Sequence, residues 1–506
     1  MYDSADEIFE YLSSFVNFEK TRKQTIREYR LDRMRALLDY FGNPQRDLRC
    51  IHVAGSKGKG STSLYLARGL SACGYRTGLY ASPHVSNFRE RISLAGEFFP
   101  DELYVREGGR IITELKYLQS LPEWRTAEPT AFELFTLLGF LVFRAAGCSM
   151  AVIETGIGGR LDATNVIDPL AVVISSIELE HTDILGSSIE DVASEKAGII
   201  KPGAPVFVGP QRFPAALSVL KSGAADRGGD FFYAPDFITC TETHQDRRGT
   251  SAEYVWKANP VTEAETGDSD SAFTLRLAMP GAVQAENAGL AVLTLKVLNG
   301  KGMIETGTDT WREAFPALSD SLRKARLPGR MEIFGGTPAI ALDGAHTPVS
   351  IGRTAETFRQ IFGPEWVCIF GSVEGKDAER MAEILSSYTK RIIVSTPGSF
   401  KPSNPREVFD IFRRFAGEAR FEPDPAAALQ TALTMTGDAG ASGTSGSLDA
   451  PGASGSRDSA ASAGRPGPHG CREQALPILV TGSFYMVAEI RRLLTKQIKK
   501  PTTEVT

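Results

Sequence analysis

Val53-Ala54-Gly55-Ser56-Lys57-Gly58-Lys59-Gly60-Ser61-Thr62 follows the apolar run Cys50-Ile51-His52-Val53 and opens onto the helical pattern Ser63-Leu64-Tyr65-Leu66-Ala67-Arg68-Gly69-Leu70. Strand, glycine loop and helix in that order form the context of a phosphate-binding loop. The glycines let backbone N–H groups converge on one concavity, and the helix adds the positive end of its dipole. Lys59 is placed to reach β/γ-phosphates, and the Ser61 hydroxyl can ligate Mg²⁺. Gly60, inserted between the lysine and the serine, departs from the common consensus. The competing reading is a glycine-rich turn with an incidental lysine.

Composition bounds the rest. A chain of 506 residues suggests two to four domains at roughly 150 residues each. With 42% hydrophobic and 23% charged residues it can build large cores, and a net charge of −5 gives no reason to expect nucleic acid or an anionic membrane as partner. The six cysteines are scattered without metal-type spacing, which fits free thiols in a reducing cytoplasm. The first residues are acidic and lack the apolar core of a signal peptide. No apolar run reaches the ~20 residues of a membrane span. A soluble cytoplasmic protein, acting as a monomer, is expected.

Residues 5–41 read as helical. From residue 50, apolar runs at 50–54, 76–80, 149–154, 170–177 and 205–209 alternate with helical stretches, which predicts an α/β domain around a mostly parallel sheet. The segment 228–280 differs: short alternating stretches such as 252–256 and 273–277 suggest antiparallel strands, and 282–299 reads as helix. Leu327-Pro328-Gly329-Arg330 is a natural break before a second series, with strands expected at 339–342, 367–370, 391–395 and 477–481. The expected domains are therefore 1–326 and 327–506. The Gly, Ala, Ser and Pro-rich stretch 437–470 cannot offset its ordering entropy and reads as a disordered insertion.

Chemistry-bearing side chains of open α/β sheets gather at the carboxyl ends of strands. Glu154 ends one such run and precedes Thr155-Gly156-Ile157-Gly158-Gly159-Arg160-Leu161-Asp162-Ala163-Thr164-Asn165. A carboxylate there suits Mg²⁺; a solvent-facing acid is the alternative. A dinucleotide fingerprint is weak, because the third glycine is missing. His181, just past the next strand, could bind metal or orient phosphate, or be an ordinary loop residue. Lys196 falls near a helix end closed by Gly198, where a surface lysine is the plain reading.

Together these segments resemble the folylpolyglutamate synthase and dihydrofolate synthase family, within the wider Mur-type ATP-dependent ligases. The signatures occur in the family's order: 54–61, Tyr80-Ala81-Ser82-Pro83-His84 with Glu90-Arg91-Ile92, 154–165, 181–186, 195–200, Pro328-Gly329-Arg330, Asp343-Gly344-Ala345-His346, Lys376-Asp377 and Gly482-Ser483-Phe484. The resemblance implies an N-terminal P-loop, Mur-ligase-type ATP-binding domain and a smaller Rossmann-like C-terminal α/β domain. Gly58, Lys59, Gly60 and Ser61 would hold the ATP phosphates, and Asn287, Arg330 and Asp343 match nucleotide contacts. Ser82, Glu154 and His181 match Mg²⁺ ligands, and Lys196 matches a lysine carried as a carbamate. Lys59, His181 and Lys196 are the candidate catalytic residues. Arg27, Glu28 and Tyr29, then Thr130, Ala131, Phe132 and Glu133, then Leu161, Asp162 and Ala163 match pterin-contact regions. ATP would bind in an interdomain cleft.

The chain departs from the family's pattern at four places. Glu180 stands where aspartate is usual, Ser56-Lys57 replaces Thr-Asn, Thr347 replaces asparagine, and Gly281-Ala282-Val283-Gln284 lacks the histidine of a His-Gln pair. The implied reaction joins L-glutamate to dihydropteroate, to the tail of reduced folates, or to both, through an acyl phosphate, releasing ADP and phosphate. A Mur ligase acting on a UDP-N-acetylmuramoyl substrate is the competing enzyme, but only 49 residues precede the first core strand, few for its extra domain. A regulatory ATPase would leave Lys196, Arg330 and Asp343 without purpose.

Overall fold

Alternate residues of the first core strand enter different cores. Ile51 and Val53 join one apolar cluster, Cys50 joins a second and Ala54 a third. A strand covered on both faces needs an unbroken apolar run, which is how 50–54 reads. The computed structural model describes residues 2–16, 31–120, 128–257, 272–437 and 475–498. Among these, the chain forms two compact units, one of Met1–His244 with Arg248–Leu327, the other of Gln245–Arg247 with Pro328–Thr506.

The first unit is built on seven strands: β1 Arg49–Ala54, β2 Thr77–Tyr80, β3 Ile92–Leu94, β4 Met150–Glu154, β5 Ala171–Ile174, β6 Val206–Val208 and β7 Phe231–Tyr233. Their order is β3-β2-β4-β1-β5-β6-β7, parallel except for β3. Val53 pairs with both Glu154 and Val173, so three central strands end level and their loops leave one edge together. Helices Lys59–Ala72 and Ala282–Gly300 contribute to the core on one face. A separate antiparallel sheet follows: β8 Ile238–Asp246, β9 Gly249–Trp256 and β10 Ala272–Leu277, in the order β10-β9-β8.

The second unit holds β11 Glu332–Phe334, β12 Ile340–Leu342, β13 Val367–Phe370, β14 Ile392–Val394, β15 Arg420–Phe421 and β16 Ile478–Thr481, ordered β11-β12-β16-β13-β14-β15. Only β11 runs antiparallel to its neighbour. The predicted α/β class with mostly parallel sheets is therefore observed. The helical reading of 5–41 resolves into helices Ala5–Ser13 and Leu31–Tyr40. The residues between 17 and 30 lie outside those described, as do Arg27, Glu28, Tyr29 and all of the 437–470 stretch except its first residue. Strand β8 falls within the 228–280 segment expected to hold antiparallel strands, though its half-exposed polar face leaves no period-two apolar signal to mark its bounds.

Helix Asp101–Leu118 carries two adjacent glycines with opposite surroundings. A Cβ on Gly108 would lie 2.2 Å from Ile8 Cγ2, whereas one on Gly109 meets nothing within 4 Å. Gly108 thus lets the Ala5–Ser13 helix pack closely. Gly108→Leu is expected to destabilise by about 1–3 kcal/mol through overpacking, while Gly109→Ala should stabilise by up to about 1 kcal/mol. Denaturant midpoints of the two variants check this.

Candidate active site

The loop after β1 is shaped by close approach. Gly55 has φ +146°, and a Cβ there would fall 2.0 Å from Ser175 Oγ; Gly58 has φ +85°, and a Cβ there would fall 2.4 Å from Asn287 Oδ1. Any side chain at either position would push the loop off its supports. Ser56 N–H donates to Ser176 O at 2.8 Å, Ser56 Oγ donates to Glu178 O at 2.9 Å, and Gly58 begins helix Lys59–Ala72. Asn287 reaches the first turn of that helix, 3.4 Å from Thr62 Oγ1. Ser61 is buried inside the same turn.

Two lysines converge on one carbonyl oxygen. Lys59 Nζ donates to Gly55 O at 3.0 Å and Lys196 Nζ donates to the same atom at 2.9 Å. Glu180 lies among these charges, 3.0 Å from Lys196 Nζ and 3.8 Å from Lys57 Nζ. Burial would raise the Glu180 pKa, but Lys196, Lys59, Lys57 and His181 together hold it well below the usual carboxylate range. Burial pushes the Lys196 ammonium down to about 8, with Glu180 opposing and Lys59 assisting. The plain reading of Lys196 as a surface residue is thus corrected: its side chain is 1% exposed. The cause is that helix Ile189–Ala197 ends against the nucleotide loop rather than in solvent.

Glu154, at the tip of β4, is buried. Its Oε2 accepts the Ser82 N–H at 3.2 Å and lies 3.5 Å from where a Gly60 Cβ would be. The acidic strand tip, Ser82 and the glycine loop are therefore neighbours. The turn carrying Ser82 is braced by Glu90, which accepts N–H groups of Val85, Ser86 and Asn87. Arg91 Nε donates to His84 Nδ1 at 2.8 Å. His181 is exposed, at φ +48°, next in sequence to Glu180.

The glycine cluster after β4 serves packing, not a dinucleotide. A Cβ on Gly159 would meet Glu195 O at 2.7 Å, and one on Gly198 would meet Arg160 Cβ at 2.4 Å. Asp162, buried, accepts the N–H groups of Gly156, Ile157 and Thr164 and the Thr164 hydroxyl. Its carboxyl therefore shapes the loop bounded by Leu161 and Ala163. Phe132 lies over Gly156, and its ring meets Tyr80 edge-on at 5.9 Å. Thr130 and Glu133 form the capping box that starts helix Ala131–Ala145, and Glu133 also pairs with Arg33 at 2.9 Å. These two polar groups position Phe132.

In the second unit, Asp343 accepts the N–H groups of Met331 and Ala345 and the Thr354 hydroxyl. Burial raises its pKa while Arg330 and these donors pull it down. The Arg330 guanidinium lies 4.5 Å from the centre of the Phe484 ring. Asp377 caps helix Ala378–Tyr388. Sequence reasoning missed Gln211. Its amide donates to Ser175 O and Gly209 O and accepts from Ile177 N–H, fixing the turn beside the glycine loop. Its position just past β6 was the only signal.

A mostly parallel sheet, a glycine loop with paired lysines and a facing carboxylate define an ATP-dependent ligase of the Mur type; the family model described as Mur ligase, glutamate ligase domain, matches residues 329–447. The chain belongs to the folylpolyglutamate synthase and dihydrofolate synthase family. It is 31% identical over 383 residues to the dihydrofolate synthase/folylpolyglutamate synthase of Bacillus subtilis, covering 75% of this chain and 84% of that one. Mycobacterium tuberculosis folylpolyglutamate synthase complexed with ADP superposes with TM-score 0.77 at 25% identity, over 97% of this chain and 98% of that one. A complex of folylpolyglutamate synthase with AMPPCP and folate gives 0.73 at 26% identity, over 97% and 100%. No helix among the described residues is long and apolar enough to cross a membrane.

Proposed function

We propose that this chain adds L-glutamate both to dihydropteroate and to the glutamate tail of reduced folates, consuming ATP. The observation that carries this reading is the convergence of Lys59, Lys196 and Glu154 on one loop at one sheet edge. The Bacillus relative is named for both activities, and one similar structure holds a nucleotide analogue with folate.

A carboxylate is a poor electrophile, so it must first be activated. The acceptor's carboxylate attacks the γ-phosphorus of ATP, the bond to the β-phosphate oxygen breaks, and ADP leaves. Lys59 and the loop N–H groups offset charge on the transferring oxygens. The glutamate amine then attacks the acyl phosphate, losing a proton as phosphate departs. Phe132, Leu161 and Ala163 line the acceptor side, with Asp162, Thr130 and Glu133 fixing them. Asn287, beside Gly58 and Thr62, is assigned to the nucleotide.

Among the described residues no three acidic, histidine or cysteine side chains group as a metal cage. Mg²⁺ in nucleotide sites needs only one or two carboxylates, because phosphates and waters fill the other positions. Buried Glu154 beside Ser82 fits that demand, and His181 is the third residue assigned to it. When bound, Mg²⁺ would supply charge neutralisation on the phosphates. Lys196, whose amine loses its proton near pH 8, is suited to react with CO₂, releasing a proton and leaving a carbamate. Glu180 would then pair with Lys57 instead. We place the enzyme in the cytoplasm as a monomer; five free cysteines among the described residues fit a reducing compartment.

Purified protein with Mg-ATP and labelled glutamate, given dihydropteroate and tetrahydrofolate separately, should label both and release ADP. Label in one acceptor alone would remove the bifunctional reading. Label only in a UDP-N-acetylmuramoyl acceptor would establish the Mur alternative.

A further inference from the structure

His52 stands in the middle of β1, fully buried, with Ile153 of β4 and Val172 of β5 as its register neighbours. An aliphatic side chain would suit that place at lower cost. Burial, with Lys201 adding to it, pushes the imidazole pKa down to about 3, so the ring is neutral and carries one proton. Its Nδ1 is buried without a hydrogen-bond partner among the described residues. A buried acceptor left unmet destabilises the fold, so the ring is not there for stability alone.

The other ring nitrogen is engaged. His52 Nε2 lies 2.9 Å from Thr164 Oγ1, and the Thr164 hydroxyl directs its single proton to Asp162 Oδ1 at 2.5 Å. Asp162 is an acceptor throughout, since its oxygens also take the N–H groups of Gly156, Ile157 and Thr164. Thr164 Oγ1 is therefore the acceptor toward the ring, and His52 Nε2–H donates. The bonds run one way, from His52 to Thr164 to Asp162, while Gly156 and Ile157 close on the second carboxylate oxygen. This chain ties the loop after β4 to the interior of β1. On its far side the loop meets Phe132: a Cβ on Gly156 would lie 2.6 Å from Phe132 Cζ and 3.2 Å from Asp162 Oδ2. Gly156 is thus held between the carboxylate and the ring, and Leu161 and Ala163 flank Asp162 in the chain.

We propose that His52 is a positioning residue for the acceptor: through Thr164 and Asp162 it fixes the wall formed by Phe132, Leu161 and Ala163. It thereby sets affinity for the pterin portion and leaves the nucleotide unaffected. The bonds that Lys59 and Asn287 make, to Gly55 O and to Thr62, pass through neither His52 nor Thr164. The inference rests on the proposed ligase reading, which puts the acceptor against that wall.

Calorimetric titration of the full chain tests it, with dihydropteroate in the presence of the ATP analogue AMPPCP and with AMPPCP alone. His52→Leu removes the Nε2 donor and the unmet Nδ1 together, and Thr164→Val removes the middle link at nearly constant shape. Each should weaken dihydropteroate binding about tenfold, the scale of one lost hydrogen bond. AMPPCP affinity should stay within about twofold of the parent in both. His52→Gln, whose side-chain amide offers an N–H in place of Nε2–H, should recover most of the loss. The double variant of His52→Leu with Thr164→Val should bind no more weakly than the weaker single variant, because both break one chain. Unchanged dihydropteroate affinity, equal losses for both ligands, a glutamine variant no better than leucine, or additive losses in the double variant would each overturn the proposal. Should His52→Leu fail to fold, Thr164→Val and His52→Gln carry the same comparison. A parent chain that binds neither dihydropteroate nor tetrahydrofolate overturns the ligase reading and this inference with it. Normal parent binding with any of the adverse results overturns this inference alone.

Discussion

Lys59→Ala is expected to lower kcat by on the order of 10³-fold, the scale seen when a charge-stabilising group is removed from acyl or phosphoryl transfer. The reason is local. Lys59 sits in the first turn of the helix that follows the glycine loop, and its ammonium rests on Gly55 O, from where it would turn to a phosphate. Glu154→Ala should show a loss of similar size, because the buried carboxylate beside Gly60 and Ser82 is the hard anionic oxygen at that edge. ADP release at saturating substrates gives the rate. Denaturation curves should show Lys59→Ala close to the parent, since the side chain makes one hydrogen bond, to Gly55 O. A near-normal rate in either variant would refute the assignment of this edge as the reaction site.

Lys196→Met should impair both folding and activity. It leaves Glu180 beside Gly55 O without its nearest cation, and breaking a buried pair typically costs on the order of 3 kcal/mol. The cost depends on pH, with a sign that can be worked out. In the parent, Glu180 is held well below its ordinary value, so it adds stability above about pH 4.5 and loses it as pH falls through the depressed value. Lys196 acts in the other sense. Its folded value of about 8 lies below the unfolded 10.5, so its penalty is fully present below 8 and is relieved as pH rises from 8 to 10.5. The variant's deficit should therefore be largest near neutral pH and shrink in acid, as Glu180 protonates. Chemical denaturation from pH 3 to 8 checks this; a deficit independent of pH would rule out the pairing. Turnover should fall by about 10²-fold or more, as expected when a group that positions charge at the reacting phosphate is lost.

Much of the first sheet was legible in the sequence, because parallel strands buried on both faces read as apolar runs and their loops carry glycines at fixed offsets. Val53 followed by Gly55 and Gly58 could be read that way, as could Glu154 followed by Gly156. The environment of Lys196 could not. Its burial follows from β1 and β5 ending level and from the close contact of Gly159 with helix Ile189–Ala197, neither of which is a local property. Asp162 was read as a substrate contact, yet its oxygens are occupied by backbone N–H groups nearby. Gln211 escaped notice because a glutamine past a strand looks like any loop residue. The three strands of β8–β10 were legible only in the two that bury an alternating face.

The carbonyl oxygen of Gly55 receives two ammonium groups at once. In the proposed reaction an incoming triphosphate would compete for Lys59, and that withdrawal would strand the Gly55 oxygen had it no second donor. Lys196 would stay behind, so the oxygen would keep a donor while Lys59 swings to its new charge. The resting protein thus holds a spare, and arrival of nucleotide would be a handover rather than a rupture.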